Sequence, residues 1–170
     1  LPQIDLMARS NKGNGAEAWR WTGNAYRGED GTELNAMRLL DRIAGTTATE
    51  RGLTSAVLGM GPQAPPGIRK RIDELRQQGD TAWQAALVLT EVLKAAGANH
   101  AFPVSVDTAK QAQRRLQAAR VQVDQCLAEP PACTLGGPEW IEVGSAFIES
   151  TERLREGIFL AVESPSHVAL

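Results

Sequence analysis

Ile68, Ile72, Leu75, Gly79, Ala82, Ala86, Leu89, Leu93 and Ala96 follow one another at alternating intervals of four and three residues. A strand would turn neighbouring members of such a series to opposite faces, whereas a helix gathers all of them on one stripe. A stripe with this repeat is the seam of a helix packed at a shallow angle against others. The chain must therefore supply partner helices of similar length, and three further segments do so. The first runs from about Thr32 to Leu58 and is marked by Leu34, Met37, Leu40, Ile43, Ala44, Leu53, Val57 and Leu58. A third helix is expected from Ser105 or Asp107 to about Ala128, with Ala109, Ala112, Leu116, Ala119, Val123 and Cys126 as its seam. The last ends near Glu163 and carries Trp140, Gly144, Phe147, Thr151, Leu154, Ile158 and Ala161, with Ile141, Ile148 and Phe159 beside them.

The breaks between these segments are short. Gly59-Met60-Gly61-Pro62 and Pro65-Pro66-Gly67 separate the first two helices, Gly97 stops the second, and Gly136-Gly137-Pro138 precedes the fourth. Short connections make sequence neighbours antiparallel. The expected fold is therefore all-α: an antiparallel, up-down-up-down four-helix bundle over residues 32–163. Residues 1–31 form an additional N-terminal segment, either an extra helix or an extension of the first one, with Trp19 and Trp21 too close in sequence to share a helical face. Asp30 or Thr32 is expected to cap the first helix, and residues 164–170 form a tail. No alternation typical of strands is present. Aromatic residues are only 5% of the chain, which also favours helix over sheet.

The first helix departs from its own pattern. Thr47, Glu50 or Arg51, and Thr54 stand where its stripe calls for apolar side chains. Buried polar groups without partners cost roughly 2–7 kcal/mol by transfer measurements. A neighbouring helix, a second subunit, water or a ligand must meet them. Gly45 and Gly52, inside the same helix, are either tolerated or admit another backbone closely. On the other helices, Arg69, Lys70, Arg71, Arg76, Arg114 and Arg115 read as solvated, while Arg120 lies near enough to its seam to reach inward.

Several function classes are disfavoured. A formal net charge of −2 gives no support for nucleic-acid binding through bulk electrostatics. His100 in a connection and His167 in the tail lack the spacing of metal ligands, so no metal and no cofactor are expected. No acid–base pair or nucleophile motif points to an enzyme. Glycines before the fourth helix could present an anion site at its N-terminus, but a proline start is the simpler account. Cys126 and Cys133 flank a Pro-Pro turn, and their spacing allows either a disulfide, which would indicate an oxidising compartment, or two free thiols. The chain opens on Leu1 without a secretory signal and is expected to be a mature or excised piece of a longer protein.

The stretch Glu50-Arg51-Gly52-Leu53-Thr54-Ser55-Ala56-Val57-Leu58-Gly59 resembles the first long helix of helical extracytoplasmic sensor domains in bacterial transmembrane receptors, in particular the nitrate- and nitrite-sensing domain family. Arg120-Val-Gln-Val-Asp124 and the last helix, from Trp140-Ile141 to Leu154-Arg155, extend the resemblance over about residues 34–162. It implies a periplasmic portion of an inner-membrane protein, flanked by membrane helices and homodimeric. Its ligand would be a small molecule such as nitrate, nitrite or another small anion. The motif carries over Arg51 as a ligand-binding residue. Glu50, Thr47 and Thr54 on the polar stripe, together with Arg42 and Arg120 near the seams, complete the candidate set. The competing reading makes Glu50 and Arg51 a structural ion pair with the neighbouring helix, serving only the specificity of packing. A second function, a periplasmic helical scaffold that binds a partner helix and no solute, accounts for the seams equally well.

Overall fold

The structure is a computed structural model and describes residues 31–97 and 101–163. The expectations for residues 1–30, for His100 and for the tail with His167 lie outside the described residues. Four long helices, α1 (Thr32–Met60), α2 (Pro66–Ala95), α3 (Ala101–Ala128) and α4 (Gly137–Glu163), pack against each other. Single 3₁₀ turns at Gly61–Gln63 and Pro130–Ala132 occupy two of the connections. No helix among the described residues is long and apolar enough to cross a membrane.

Most of each seam read from the sequence is buried, but Leu34 of α1 and Ala96 after α2 are exposed and Ile68 is half-buried. On α1 the series Ala36, Leu40, Ile43, Thr47, Glu50, Thr54 and Val57 keeps the four–three rhythm throughout, and all seven are buried. On α2, Trp83 joins Ala82, Ala86, Leu89 and Leu93 in the core, where its ring meets Phe147 of α4 edge-on at a centroid distance of 5.4 Å. Trp140, fully buried at the start of α4, donates its indole N–H to the Arg51 carbonyl of α1 at 3.1 Å. That bond satisfies the one polar atom of a large apolar ring, so Trp140 pins α4 to the middle of α1.

The helix ends differ from expectation at three places. Helix α2 begins at Pro66, where proline suits the first turn, so Pro66 and Gly67 lie inside it. The two others also have local causes. Gly31 is the N-cap of α1 in the left-handed region (φ 75°), so no side chain caps the helix there and Thr32 falls inside it. Helix α3 begins at Ala101, several residues before Ser105. Pro103 reads as a break, but it lies in the first turn, where its missing N–H removes no helical bond. The early start brings Phe102 into the core at 2% exposure, against Gly157 of α4. At the other end of α1, Gly61 adopts φ 65° and returns its N–H to the Val57 carbonyl, and Pro62 follows.

The bundle is not evenly spaced. Helix α1 lies close along both α2 and α4, and α3 lies close along α4, while α2 and α3 make few close backbone approaches. Gly79 helps set the first spacing: a Cβ there would stand 3.0 Å from the Thr46 hydroxyl. Gly45 and Gly52 have open space where a side chain would be, so they are tolerated within the helix and bring no described element close. Between α2 and α3 the wider gap is crossed by long polar side chains.

Cys126, buried at the end of α3, is joined by a disulfide to exposed Cys133, which fixes the chain reversal after α3. Leu127 beside it packs against the small Val57–Ala64–Ile72 cluster. Because the bond closes a loop at a sequence separation of seven, the chain-entropy relation assigns it about 2–3 kcal/mol of stabilisation. Urea denaturation of the reduced, alkylated protein is therefore expected to give a lower midpoint than the oxidised protein, corresponding to an unfolding free energy smaller by that amount. An unchanged midpoint would show that the turn holds without the bond.

Candidate functional site

Glu50 occupies a core position of α1 and is 1% exposed. A carboxylate removed from water needs charged, well-aimed donors, and α2 and α3 supply them. Arg120 of α3 meets it as a fork, Nε to Oε2 at 2.8 Å and Nη2 to Oε1 at 2.7 Å. Arg76 of α2 adds its Nε to Oε2 at 3.3 Å. The two arginines are themselves held from outside. Arg120 donates from Nη1 to Asp80 of α2 at 2.8 Å, and Gln117 donates to the same oxygen at 3.3 Å. Arg76 donates from Nη1 to both oxygens of Asp124 on α3, at 2.9 and 3.2 Å.

The arrangement is reciprocal. Each of α2 and α3 carries an Arg-x-x-x-Asp step, Arg76–Asp80 and Arg120–Asp124, and each arginine reaches the aspartate of the other helix while both reach Glu50. Exposure rises outward, from 1% at Glu50 through 6% and 14% at the arginines to 45% and 60% at Asp80 and Asp124. The network therefore runs as a polar wire from the core of α1 to the surface between α2 and α3. Burial disfavours the Arg120 charge, but the hydrogen bonds and field of Glu50 and Asp80 outweigh it, and its pKa is raised. A raised folded pKa on a cation gives stability that is lost only as pH climbs through that value. Arg120 thus keeps its charge throughout the range in which proteins are studied.

The structure divides the candidate residues. It brings Glu50 and Arg120 together. Arg51, next to Glu50 in sequence, leaves α1 in another direction, because successive helical residues are about 100° apart. Its Nη1 donates to Ser145 of α4 at 2.8 Å, and its methylenes lie across Gly144, where a Cβ would be 3.3 Å from Arg51 Cγ and Cδ. Glu50 thus pairs with arginines of neighbouring helices, while Arg51 meets a neighbouring helix through a hydroxyl and forms no ion pair with a described residue. Thr47 is buried one turn before Glu50, and Arg42 is exposed and joins none of these groups.

Arg76, Asp80, Asp124 and Gln117 were missed in sequence, and Arg76 is not on a solvated face. The available signal was the pair of Arg-x-x-x-Asp steps, each beside its seam on what turn out to be facing sides of α2 and α3. Arg76, Asp124 and Leu127 also border a surface groove of about 190 Å³ between these helices, with Arg69, Ile72 and Asp73 on the α2 side. No group of three or more His, Cys, Asp or Glu side chains among the described residues is placed to hold a metal ion. Comparison of the chain with protein-family models, with curated proteins and with solved structures returned no match.

Thr54 is a further buried polar residue on the α1 seam. The hydroxyls of Thr90, Ser150 and Thr151 each donate to the carbonyl three residues earlier, at 2.7–2.9 Å. The Thr54 hydroxyl is fully buried and finds no partner among the described residues. Replacing it by the isosteric valine removes an unsatisfied group without changing shape. Thr54→Val is therefore expected to stabilise the fold by about 1 kcal/mol in thermal or urea denaturation. Destabilisation by a similar amount would mean that the hydroxyl has a partner after all.

Proposed function

We propose that residues 32–163 form the extracytoplasmic, ligand-sensing input domain of a bacterial transmembrane receptor, with the chain lying in the periplasm and its ends leading toward membrane helices and an output domain. The observation that carries this reading is the double contact of Arg76, which touches buried Glu50 of α1 and also borders an open groove. A solute that engages the groove is then one side chain away from the core of the bundle. Such a solute biases helix position only by its unequal affinity for two arrangements, about 1.4 kcal/mol for each tenfold of preference. A charged network suits that role, because a rearranged ion pair changes its energy steeply with geometry.

Three further features support the proposal. Contacts of Thr46 with Gly79, of Glu50 with Arg76, of Asp41 with Arg155 and of Arg51 with Ser145 pair later residues of α1 with earlier residues of α2 and α4, in keeping with an up-down-up-down order. The disulfide is in keeping with an oxidising compartment. The outer face of α1 presents Gly45, Thr49, Gly52, Ala56 and Gly59, all exposed and again spaced four and three, which would let α1 of a second copy come close. This is the basis for a homodimer joined along α1. The solute is small and carries an anionic group; the resemblance suggests nitrate or nitrite. Arg51, with no acidic partner among the described residues, is the position it would assign to that ligand.

A thermal-shift panel of nitrate, nitrite, other small anions, carboxylates and amino acids tests the proposal. A saturable rise in melting temperature with one of them is the expected result, and its loss in Arg51→Ala would put the ligand on the α1–α4 side. Absence of any shift across the panel would overturn the sensor reading in favour of a scaffold that binds a partner helix.

A further inference from the structure

We infer that the groove between α2 and α3 is a binding site for a free α-amino acid with an aliphatic side chain. The inference rests on the sensor reading above and narrows its ligand. The groove combines three kinds of surface in one small space. At one end is Arg69, half-buried, whose Nε is shielded from water and finds no acceptor among the described residues. One turn further along α2 is Asp73, exposed and without a hydrogen bond or ion pair to any described residue. The two face the same groove with opposite charge yet do not pair with one another. Between α2 and α3 the lining is apolar, from Ile72 and Leu127.

An unpaired guanidinium, an unpaired carboxylate and an apolar strip match the three parts of an aliphatic α-amino acid. Its carboxylate would accept from the exposed part of the Arg69 guanidinium. Its ammonium would donate to Asp73, with the largely exposed Asp124 beside it. Its side chain would lie on Ile72 and Leu127. The charges also argue against a simple anion such as nitrate here, because Asp73 and Asp124 offset Arg69 and Arg76. Size agrees: about 190 Å³ is roughly six water volumes at ~30 Å³ each. That is room for one small solute such as an amino acid, and the opposite charges of the groove favour a zwitterion over a neutral one. The position gives the ligand a route inward, since Arg76 lines the groove and holds both Asp124 and Glu50.

Isothermal titration calorimetry of the whole 170-residue chain with L-leucine, L-valine and L-alanine tests the assignment. For so small a solute in an open groove, a dissociation constant on the order of 0.1–1 mM is expected for the best of the three. Leucinamide, which lacks the carboxylate, and N-acetyl-leucine, which lacks the ammonium, should each bind roughly tenfold or more weakly than leucine. Arg69→Gln and Asp73→Asn, both outside the core, should weaken leucine binding by a similar factor while leaving the melting temperature of the free protein in place. Leucine binding undiminished in both variants would overturn the groove as the site and leave ligand sensing standing. So would a protein that ignores all three amino acids but whose melting temperature responds to nitrate or another solute. A chain that responds to none of the panel would overturn this inference and the sensor reading together.

Discussion

A single buried carboxylate sets the terms for this bundle. Glu50 stands where the four–three seam of α1 calls for leucine, with no route to water. Its charge is tolerable only because two arginines from two other helices converge on it. Three helices are thereby held at one height by groups whose geometry is strict, since a fork-to-carboxylate contact weakens quickly when it slips. Apolar seams alone tolerate sliding between neighbouring layers. The Glu50 layer does not, and it gives α1, α2 and α3 a defined register.

The same constraint shapes the surface. Arginine and aspartate side chains need length, so α2 and α3 stand further apart than the other neighbours and meet through Arg76, Asp80, Arg120 and Asp124. A gap bridged by polar groups leaves a groove, floored by the apolar residues that continue each seam. The disulfide at the end of α3 holds Leu127 and Asp124 at the lip of that groove. Core charge, wide helix spacing and surface groove thus meet in one network. The proposed passage of a signal from a bound solute to α1 follows the same chain of contacts.

Much of the fold could be read from periodicity. The seams of α2 and α4 are uninterrupted and most of their members are buried, with Trp83, Thr90 and Ser150 buried beside them. The polar stripe of α1 also stood out, because Thr47, Glu50 and Thr54 break a rhythm that is otherwise apolar. What the stripe meets was not legible. Arg76 and Arg120 flank their seams, where a long side chain can turn to water or inward, and the choice depends on which helix lies opposite. Adjacent Glu50 and Arg51 leave α1 in different directions, so one meets α2 and α3 and the other α4. Pro103 suggests a boundary and is instead an early residue of α3, because only the interior of a helix suffers from a missing N–H. The groove depends on interhelical spacing, which no single helix encodes.

Glu50 and Arg120 act as one buried unit, and a double-mutant cycle in urea denaturation with Glu50→Leu, Arg120→Met and the combined variant shows whether they do. Each single change strands a buried charge and should cost about 3–5 kcal/mol, while the double change removes both charges and should cost far less than the sum. Additive losses, with the double variant as unstable as the two singles together, would contradict the account and reduce the network to two independent contacts.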